Sequence, residues 1–371
     1  MKFVVDAQVL RDAIGKVLTV VDRKNTRPIL TNCLVRADKT KLELIATDLE
    51  VSAKLILPAR VETEGSFCIN TKNIADILRE LPNEPVRLSV EGGNLLNLSC
   101  KNIDYALTIT GSEEFPQLTF GNNASEFRLK SKQVASLIDM TSHAISTDET
   151  RLYLNGIYLQ QMEGKLRTVA IDGHRLALLD TVEFIGGSKN LDDGIIIPRK
   201  GVAELRKLAE AHPDKDLAIS MDESFMFVQA NNDYFLSVRL IAREYPKYQT
   251  VIPSKTTFGF TTDRNSVLNA VKRIRILSNE KTHGVKFAVR ENELVISTNH
   301  PALGHAVEKL SIDYTGKAME IGFNAKYLVD SLGVLNDGAD VTFEFNNELS
   351  PVVIKAVDMP HFLGIIMPLK L

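Results

Sequence analysis

A recurring pattern of apolar and polar positions organises this chain. In its middle, the apolar run Ile195–Ile197 predicts a buried strand, which Pro198 ends. The next residues predict a helix with one apolar face, because apolar side chains recur every three or four positions: Val202, Leu205, Leu208 and Ala209. Segments 67–81 and 320–335 repeat this order of strand, polar break and amphipathic helix. The chain is therefore expected to contain three related parts.

The distance between the three segments is nearly constant. Their equivalent lysines are 128 and then 126 residues apart, at Lys72, Lys200 and Lys326. This period is too long for a solenoid, whose repeats span about 20–50 residues, and it indicates three copies of one domain. Because the composition changes near Gly121 and Ile252, we predict domains at residues 1–122, 123–253 and 254–371.

Each third carries the same further elements. The pattern predicts an opening strand around Phe3, Phe127 or Phe258. The six predicted helices with their flanks fall at 9–27, 72–81, 130–145, 199–210, 263–281 and 325–335. Short polar turns predict hairpins at 30–36 with 41–47, 153–160 with 166–171, and 284–289 with 293–298. The predicted fold class is α+β, with three domains that each pack two helices on antiparallel sheets.

The bulk composition is that of a globular chain, with 44% hydrophobic and 25% charged residues among 371. No apolar run approaches the roughly 20 residues of a membrane helix, and the N-terminal segment lacks the apolar stretch of a signal peptide. We therefore expect a cytoplasmic protein with no membrane partner. Cys33, Cys68 and Cys100 match no zinc spacing and no disulfide framework, so we expect no metal and no cofactor.

The charge is unevenly distributed between the predicted helices and the remaining chain. The six helical windows hold 19 Lys and Arg against 10 Asp and Glu, or about +9. Since the whole chain carries −3, the remainder carries about −12. This contrast favours a basic helical surface that attracts phosphate without reading base sequence. The alternative is six solvated helix faces that have no partner.

The sequence shows little sign of catalytic chemistry. It contains no nucleotide-binding loop, metalloprotease motif or nucleophile elbow. The strongest candidate is Asp172 with His174, because a carboxylate and an imidazole can share acid–base work or bind a metal. Two such groups are too few ligands, and the equivalent position in the first third reads Thr47–Glu50. We interpret the position as a turn in which Asp172 caps its own backbone, and expect no catalytic residue.

Six segments, taken in order, carry a resemblance to a known family. They are Arg27–Leu30, Leu154–Gly156, Thr168–Ala177, Ile197–Gly201, Leu277–Lys281 and Met367–Leu371. With them, the whole chain resembles the bacterial DNA polymerase III beta subunits, the sliding clamps. The resemblance implies a head-to-tail dimeric ring of two three-domain subunits, with helices around double-stranded DNA and sheets outside. Such a ring tethers the replicative polymerase and other replication and repair proteins to DNA, which gives processivity.

The resemblance also implies which residues contact DNA. Arg27 and Tyr153 match DNA-contacting positions of the family, and we expect Lys24, Arg199 and Lys200 to join them. A modest basic lining would neutralise phosphates without holding any one base step, so the ring could slide. Leu152 stands where better-known members carry a second tyrosine, which changes stacking at that loop.

Partners of this family insert a short peptide, with a glutamine and apolar anchors, into a pocket between the second and third domains. The matching positions are Leu154, Gly173, His174, Arg175, Leu176, Pro246, Val251, Ile365, Met367, Pro368 and Leu369. The implied partners are the DNA polymerase III alpha subunit, the clamp loader, and other DNA polymerases and repair proteins. Ile171 and Thr250 replace a threonine and an arginine of better-known members. The residues alone favour the alternative that the tail is a core-edge strand with a frayed end.

The implied dimer interface joins the first domain of one subunit to the third domain of the other. The matching residues are Tyr105 and Leu107 of an edge strand, with Ile276 and Leu277 of the third domain. Two other functions stay open from the residues: a sequence-tolerant DNA-binding protein that forms no ring, and an enzyme that uses Asp172 and His174.

Overall fold

The structure is a computed structural model, and it describes residues 1–22, 26–121, 127–181, 183–184 and 187–370. The chain divides into two compact units. The first comprises Met1–Val134, Gly186–Asn190 and Lys200–Leu240, and the second comprises Ala135–Ile185, Leu191–Arg199 and Ile241–Leu371. The middle third of the sequence contributes to both units, and the three domain boundaries given above stay a prediction.

All six predicted helices are found within the described residues, and four of them are shorter than their predicted windows, whereas α2 and α5 agree with theirs to within one residue at each end. The α-helices are α1 Ala7–Leu18, α2 Thr71–Glu80, α3 Ser131–Thr141, α4 Lys189–Asp193, α5 Arg199–Ala211, α6 Arg264–Ile274 and α7 Ala325–Gly333. The short helix α4 was not predicted. Four helices begin at an Asp or Asn whose side chain accepts backbone N–H bonds, which fixes their first residue: Asp6, Asn70, Asp263 and Asn324.

The strands confirm the predicted hairpins with small shifts at their ends. The strands are β1 Lys2–Asp6, β2 Asn32–Asp38, β3 Lys41–Thr47, β4 Val51–Pro58, β5 Arg60–Thr63, β6 Gly65–Asn70, β7 Pro85–Ser89, β8 Leu95–Cys100, β9 Ile103–Thr108, β10 Phe127–Lys130, β11 Gly156–Met162, β12 Lys165–Ile171, β13 Arg175–Asp180, β14 Ile195–Pro198, β15 Asp216–Met221, β16 Phe225–Ala230, β17 Tyr234–Arg239, β18 Phe258–Asp263, β19 Gly284–Arg290, β20 Glu293–His300, β21 Gly304–Ser311, β22 Met319–Asn324, β23 Asp340–Phe345, β24 Val352–Ala356 and β25 Met359–Ile366. Residues 28–31 and 152–154 form 3-10 turns, so β2 and β11 start later than predicted.

The first unit contains two antiparallel sheets. One has five strands in the order β5-β1-β7-β8-β9, and the other has eight in the order β10-β15-β16-β17-β4-β3-β2-β6. Helices α1 and α2 pack together, and the guanidinium of Arg11 donates to the carbonyl oxygens of Leu78 and Leu81 at the C-terminal end of α2. A cation at this end stabilises the helix, because it satisfies carbonyls that have no intrahelical partner.

The second unit repeats this plan. Its eight-stranded sheet has the order β14-β11-β12-β13-β25-β24-β23-β18, and its four-stranded sheet has the order β21-β20-β19-β22. Here the guanidinium of Arg264 donates to the carbonyl oxygens of Leu332 and Gly333 at the end of α7, which corresponds to the role of Arg11. Two different sequence positions thus supply the same C-terminal cap in two copies of the fold.

Candidate functional sites

The turn that holds Asp172 has a structural explanation. Its Oδ1 atom accepts the backbone N–H groups of His174 at 2.8 Å and Arg175 at 3.0 Å. Asp48 accepts two backbone N–H groups in the same way in the first third. Residue Leu49 has φ 77° and Gly173 has φ 93°, so the two turns share a left-handed residue at the same place. The prediction that Asp172 caps its own backbone is confirmed.

The second carboxylate oxygen of Asp172 is committed to Arg175. The Nε atom of Arg175 donates to Asp172 Oδ2 at 3.0 Å, and its Nη1 atom donates to Asp330 Oδ2 of α7 at 2.7 Å. The guanidinium also lies 4.5 Å from the ring centroid of Tyr327. The Arg175 side chain is only 8% exposed, so this network fixes β13 against α7. Both carboxylate oxygens of Asp172 therefore have structural partners, in the turn and in this network.

A buried histidine lies next to this network. His143 Nε2 is 3.4 Å from Ser331 Oγ, and its Nδ1 atom is buried without a hydrogen-bond partner. Burial, with a smaller contribution from the positive charge of Arg175, lowers the pKa of His143 to about 4. The imidazole is therefore neutral at physiological pH, and its protonation would place a second cation beside Arg175.

The proposed partner pocket combines core residues with surface residues of the second unit. Leu154, Leu176 and Ile365 are buried in one cluster with Tyr245 and Tyr248, and Val251 packs against that cluster. The remaining positions lie nearer the surface. His174 and Pro246 are exposed, whereas Met367, Pro368 and Leu369 are half-buried. These residues thus supply both a rigid apolar floor and accessible side chains above it.

The C-terminal tail is held by backbone hydrogen bonds. The N–H group of Met367 donates to the carbonyl oxygen of His174, and the N–H group of Leu369 donates to that of Gly322, both at 2.8 Å. The tail thus runs from the start of β13 to β22.

The set of pocket residues predicted from the sequence did not include Tyr327. Its ring stacks on the ring of His174, with 6.1 Å between the ring centroids. Tyr327 lies on a predicted amphipathic helix, where its residue type alone does not distinguish a pocket residue from a core residue.

The residues assigned to DNA differ in their exposure. Arg27 and Arg199 are exposed, and Lys24 lies outside the described residues. Tyr153 and Leu152 are 36% and 52% exposed on their 3-10 turn. The ammonium of Lys200, in contrast, donates to the carboxylate of Asp48 and to the carbonyl oxygen of Val20. This pairing reduces the positive charge that Lys200 can offer to a phosphate.

The residues assigned to the dimer interface lie at accessible ends of sheets and helices. Strand β9 is the last strand of the five-stranded sheet, and its Tyr105 and Leu107 are half-buried. In the second unit, Ile276 is 75% exposed on the 3-10 turn after α6. Strand β21 is the last strand of the four-stranded sheet there. Edge strands leave backbone groups unpaired, which makes them templates for pairing with another chain.

Metal and redox chemistry have no support in the described residues. No group of three or more His, Cys, Asp and Glu side chains among them is placed to hold a metal ion. The three cysteines are free and buried, and burial raises the pKa of the Cys33 and Cys68 thiols to about 12. In the same part of the chain, no helix has the length and apolar character needed to cross a membrane.

Comparisons with known proteins cover the whole chain. Models of the N-terminal, central and C-terminal domains of the DNA polymerase III beta subunit match residues 1–119, 128–247 and 249–370. The beta sliding clamp of Caulobacter vibrioides is 35% identical and that of Pseudomonas aeruginosa 30% identical, each over 100% of both chains. Among solved structures, the sliding clamp from Bartonella birtlesii bound to griselimycin has a TM-score of 0.95 and 32% identity over 100% of both chains. The Caulobacter crescentus clamp has a TM-score of 0.93 and 32% identity.

The fold and these matches define the class of protein. It is the class of DNA polymerase III beta subunits, which have a three-domain α+β fold with antiparallel sheets. The chain belongs to the beta sliding clamp family. It is a processivity factor for the replicative DNA polymerase, and this family is not catalytic. The predicted family, fold class and function are thereby confirmed, and the enzyme hypothesis is set aside.

Proposed function

We propose that two copies of this chain close head to tail into a ring around duplex DNA in the cytoplasm. The observation that carries the ring is the pair of accessible sheet edges. Strand β9 in the first unit and strand β21 in the second each end a sheet, with apolar side chains nearby. Pairing β9 of one copy with β21 of the other would satisfy both edges and cover Ile276 and Leu277.

Inside such a ring, phosphate contacts come from cationic side chains. Arg27, Arg199 and Lys24 are the candidates, with Tyr153 available for contact with sugar or base. Lys200 is kept as a weaker candidate, because Asp48 already neutralises it. Contacts of this kind carry no sequence information, so the ring would be held on DNA by topology and could slide.

The partners of this ring are the DNA polymerase III alpha subunit, the clamp loader, and other DNA polymerases and repair proteins. We propose that they bind through short peptides at the pocket of the second unit. Apolar anchors would rest on the floor made by Leu154, Leu176 and Ile365, and polar groups would meet His174 and the tail. The support is the combination of a rigid buried floor with half-buried Met367 and Leu369 above it.

Solution mass tests the ring directly. Light scattering across a dilution series should give a mass near twice 41.2 kDa that persists on dilution. The protein should then be retained on circular DNA after loading and lost when the circle is linearised. A monomer at every concentration, or equal retention on linear and circular DNA, would instead favour a sequence-tolerant DNA-binding protein that forms no ring.

A further inference from the structure

A large cleft lies on the outer face of the four-stranded sheet in the second unit. Its volume is about 1200 Å³, larger than the roughly 300–1,000 Å³ of sites for drug-sized ligands. Helices α6 and α7 contact the opposite face of this sheet, where Phe287, Ile296 and Phe323 are buried. The cleft thus lies on the side of the sheet away from these helices, and it is not an internal cavity of the core.

The floor of the cleft is built from small and polar side chains. Pairing of β19 with β22, β20 with β19 and β21 with β20 aligns one row across the sheet, made of Gly322, Lys286, Ser297 and Val307. The row is shallow at Gly322, which has no side chain, and at Ser297, which has a short one. Lys286 pairs with Glu320 at 3.1 Å, and the two side chains are 41% and 57% exposed. Such a surface pair contributes little and can exchange for a ligand group.

Exposed apolar side chains lie at the margins of this floor. Leu349 is 61% exposed and Val307 is 54% exposed, and both line the cleft. Hydrogen bonds within the surrounding turn fix the backbone at Leu349. The side chain of Asn347 accepts the N–H groups of Leu349 and Ser350, and Ser350 Oγ accepts the N–H groups of Asn346 and Asn347. The turn therefore holds Leu349 at the margin of the cleft, where a bound segment could bury it.

The cleft is continuous with the partner pocket through the C-terminal tail. Leu369 belongs to the residues assigned to the pocket, and it also lines the cleft together with Lys370. The backbone bond from Leu369 to Gly322 places this residue directly beside the row described above. A polypeptide that leaves the pocket along the tail would therefore reach the cleft.

We propose that this cleft binds the polypeptide segment that flanks the clamp-binding peptide of a partner protein. The proposal rests on the partner pocket proposed above. Backbone amide groups of an extended segment suit the hydroxyl and amide groups of Ser297, Thr282 and Asn299, and an apolar side chain would cover Leu349 or Val307. Four strands span roughly 15–19 Å, so about six extended residues cross the sheet. The flank would thus distinguish partners that share the same short motif.

The test uses two synthetic peptides from the alpha subunit of the same organism. One contains the clamp-binding motif alone, and the other extends it by about eight residues on each side. Binding to the full-length protein is measured by fluorescence anisotropy. We expect the long peptide to bind about tenfold more tightly, the gain that one covered apolar side chain provides.

The variant Ser297→Arg should fill the floor of the cleft and remove this gain, while the short peptide keeps its affinity. Ser297→Ala is the matched control, since it adds no bulk, and it should keep the gain. Equal affinity of both peptides for the wild-type protein, or a gain that survives Ser297→Arg, would overturn the proposal. Failure of the short peptide to bind at all would instead overturn the pocket, so the two hypotheses fail separately.

Discussion

The ammonium group of Lys200 in α5 donates hydrogen bonds to the carboxylate of Asp48, in the turn between β3 and β4. The same group donates to the carbonyl oxygen of Val20, just beyond α1. One helical turn further along α5, buried Glu204 accepts a 2.6 Å hydrogen bond from Thr19. Lys200 and Glu204 thus attach α5 to the end of α1 within the first unit, and Lys200 has a structural role in addition to any contact with DNA.

The variant Lys200→Ala should destabilise the protein, because it leaves the largely buried carboxylate of Asp48 without its cation. We expect the free energy of unfolding to fall by about 1–3 kcal/mol, measured by urea denaturation. Lys72→Ala is the matched control, since Lys72 occupies the equivalent place but forms an exposed pair with Asp76. That change should cost no more than about 0.5 kcal/mol. Equal losses in the two variants would contradict a structural role for Lys200.

The variant Arg199→Ala should weaken DNA binding without loss of stability, because Arg199 is exposed. The dependence of log K on log salt concentration should become shallower by about one for each phosphate contact removed. Equilibrium binding to a short primed duplex over a salt series measures this slope. Arg36→Ala, on the exposed side of β2, is the control and should leave it unchanged. An unchanged slope for Arg199→Ala would remove it from the DNA-contacting set.

The variant Ile276→Asp should convert dimers to monomers while each chain stays folded. Ile276 is 75% exposed in a single chain, so the charge costs little there, whereas burial of an unpaired carboxylate in an interface is costly. Leu277→Asp should act in the same way. Light scattering at low micromolar concentration gives the mass, and circular dichroism reports folding. A variant that still runs at dimer mass would show that the interface lies elsewhere.

Deletion of residues 367–371 should abolish stimulation of the polymerase and leave the dimer intact. The deletion removes half-buried Met367 and Leu369 from the proposed pocket, together with two backbone hydrogen bonds to His174 and Gly322. Primer extension on a loaded circular template measures stimulation, and light scattering measures the dimer. Unchanged stimulation would argue against the pocket, whereas loss of the dimer would show that the tail supports the fold more widely than its contacts indicate.

Protonation of His143 should make the second unit less stable in mild acid. The pKa of this group is about 4 in the folded chain and 6.5 ordinarily, so between these pH values the unfolded chain binds a proton that the folded chain does not. Stability should therefore fall as pH falls from 6.5 towards 4. The loss between pH 7 and 5 should be about 1–2 kcal/mol greater for the wild type than for His143→Gln. Parallel stability curves for the two proteins would exclude this linkage.

Much of the fold could be predicted because local pattern and covalent geometry decide it. The apolar spacing of Val202, Leu205 and Leu208 predicted α5, since residues three and four apart share one face of a helix. The turn at Asp172 was predicted because a short carboxylate reaches its own backbone two and three residues ahead. The repeat of about 127 residues and the family motifs then indicated the class of protein.

Other features depend on contacts between residues that are distant in sequence. Nothing in the repeat pattern distinguishes Lys200 from Lys72, yet only the fold brings Asp48, 152 positions away, to the ammonium of Lys200. From sequence alone a frayed C-terminal end was favoured, whereas in the structure the carbonyl groups of His174 and Gly322 accept backbone hydrogen bonds from the tail and set its course. The outer cleft needs all four strands in register before Gly322 and Val307 join Lys286 and Ser297 in one row.

The sequence by itself therefore determined the three-fold repeat, six of the helices, three hairpins and the family, because these follow from local periodicity and short motifs. The tertiary structure decided which cations are neutralised, which apolar side chains form a floor and which stand open, and where a partner segment can lie. Those properties depend on long-range packing and on the competition between burial and hydrogen bonding, which no local pattern encodes.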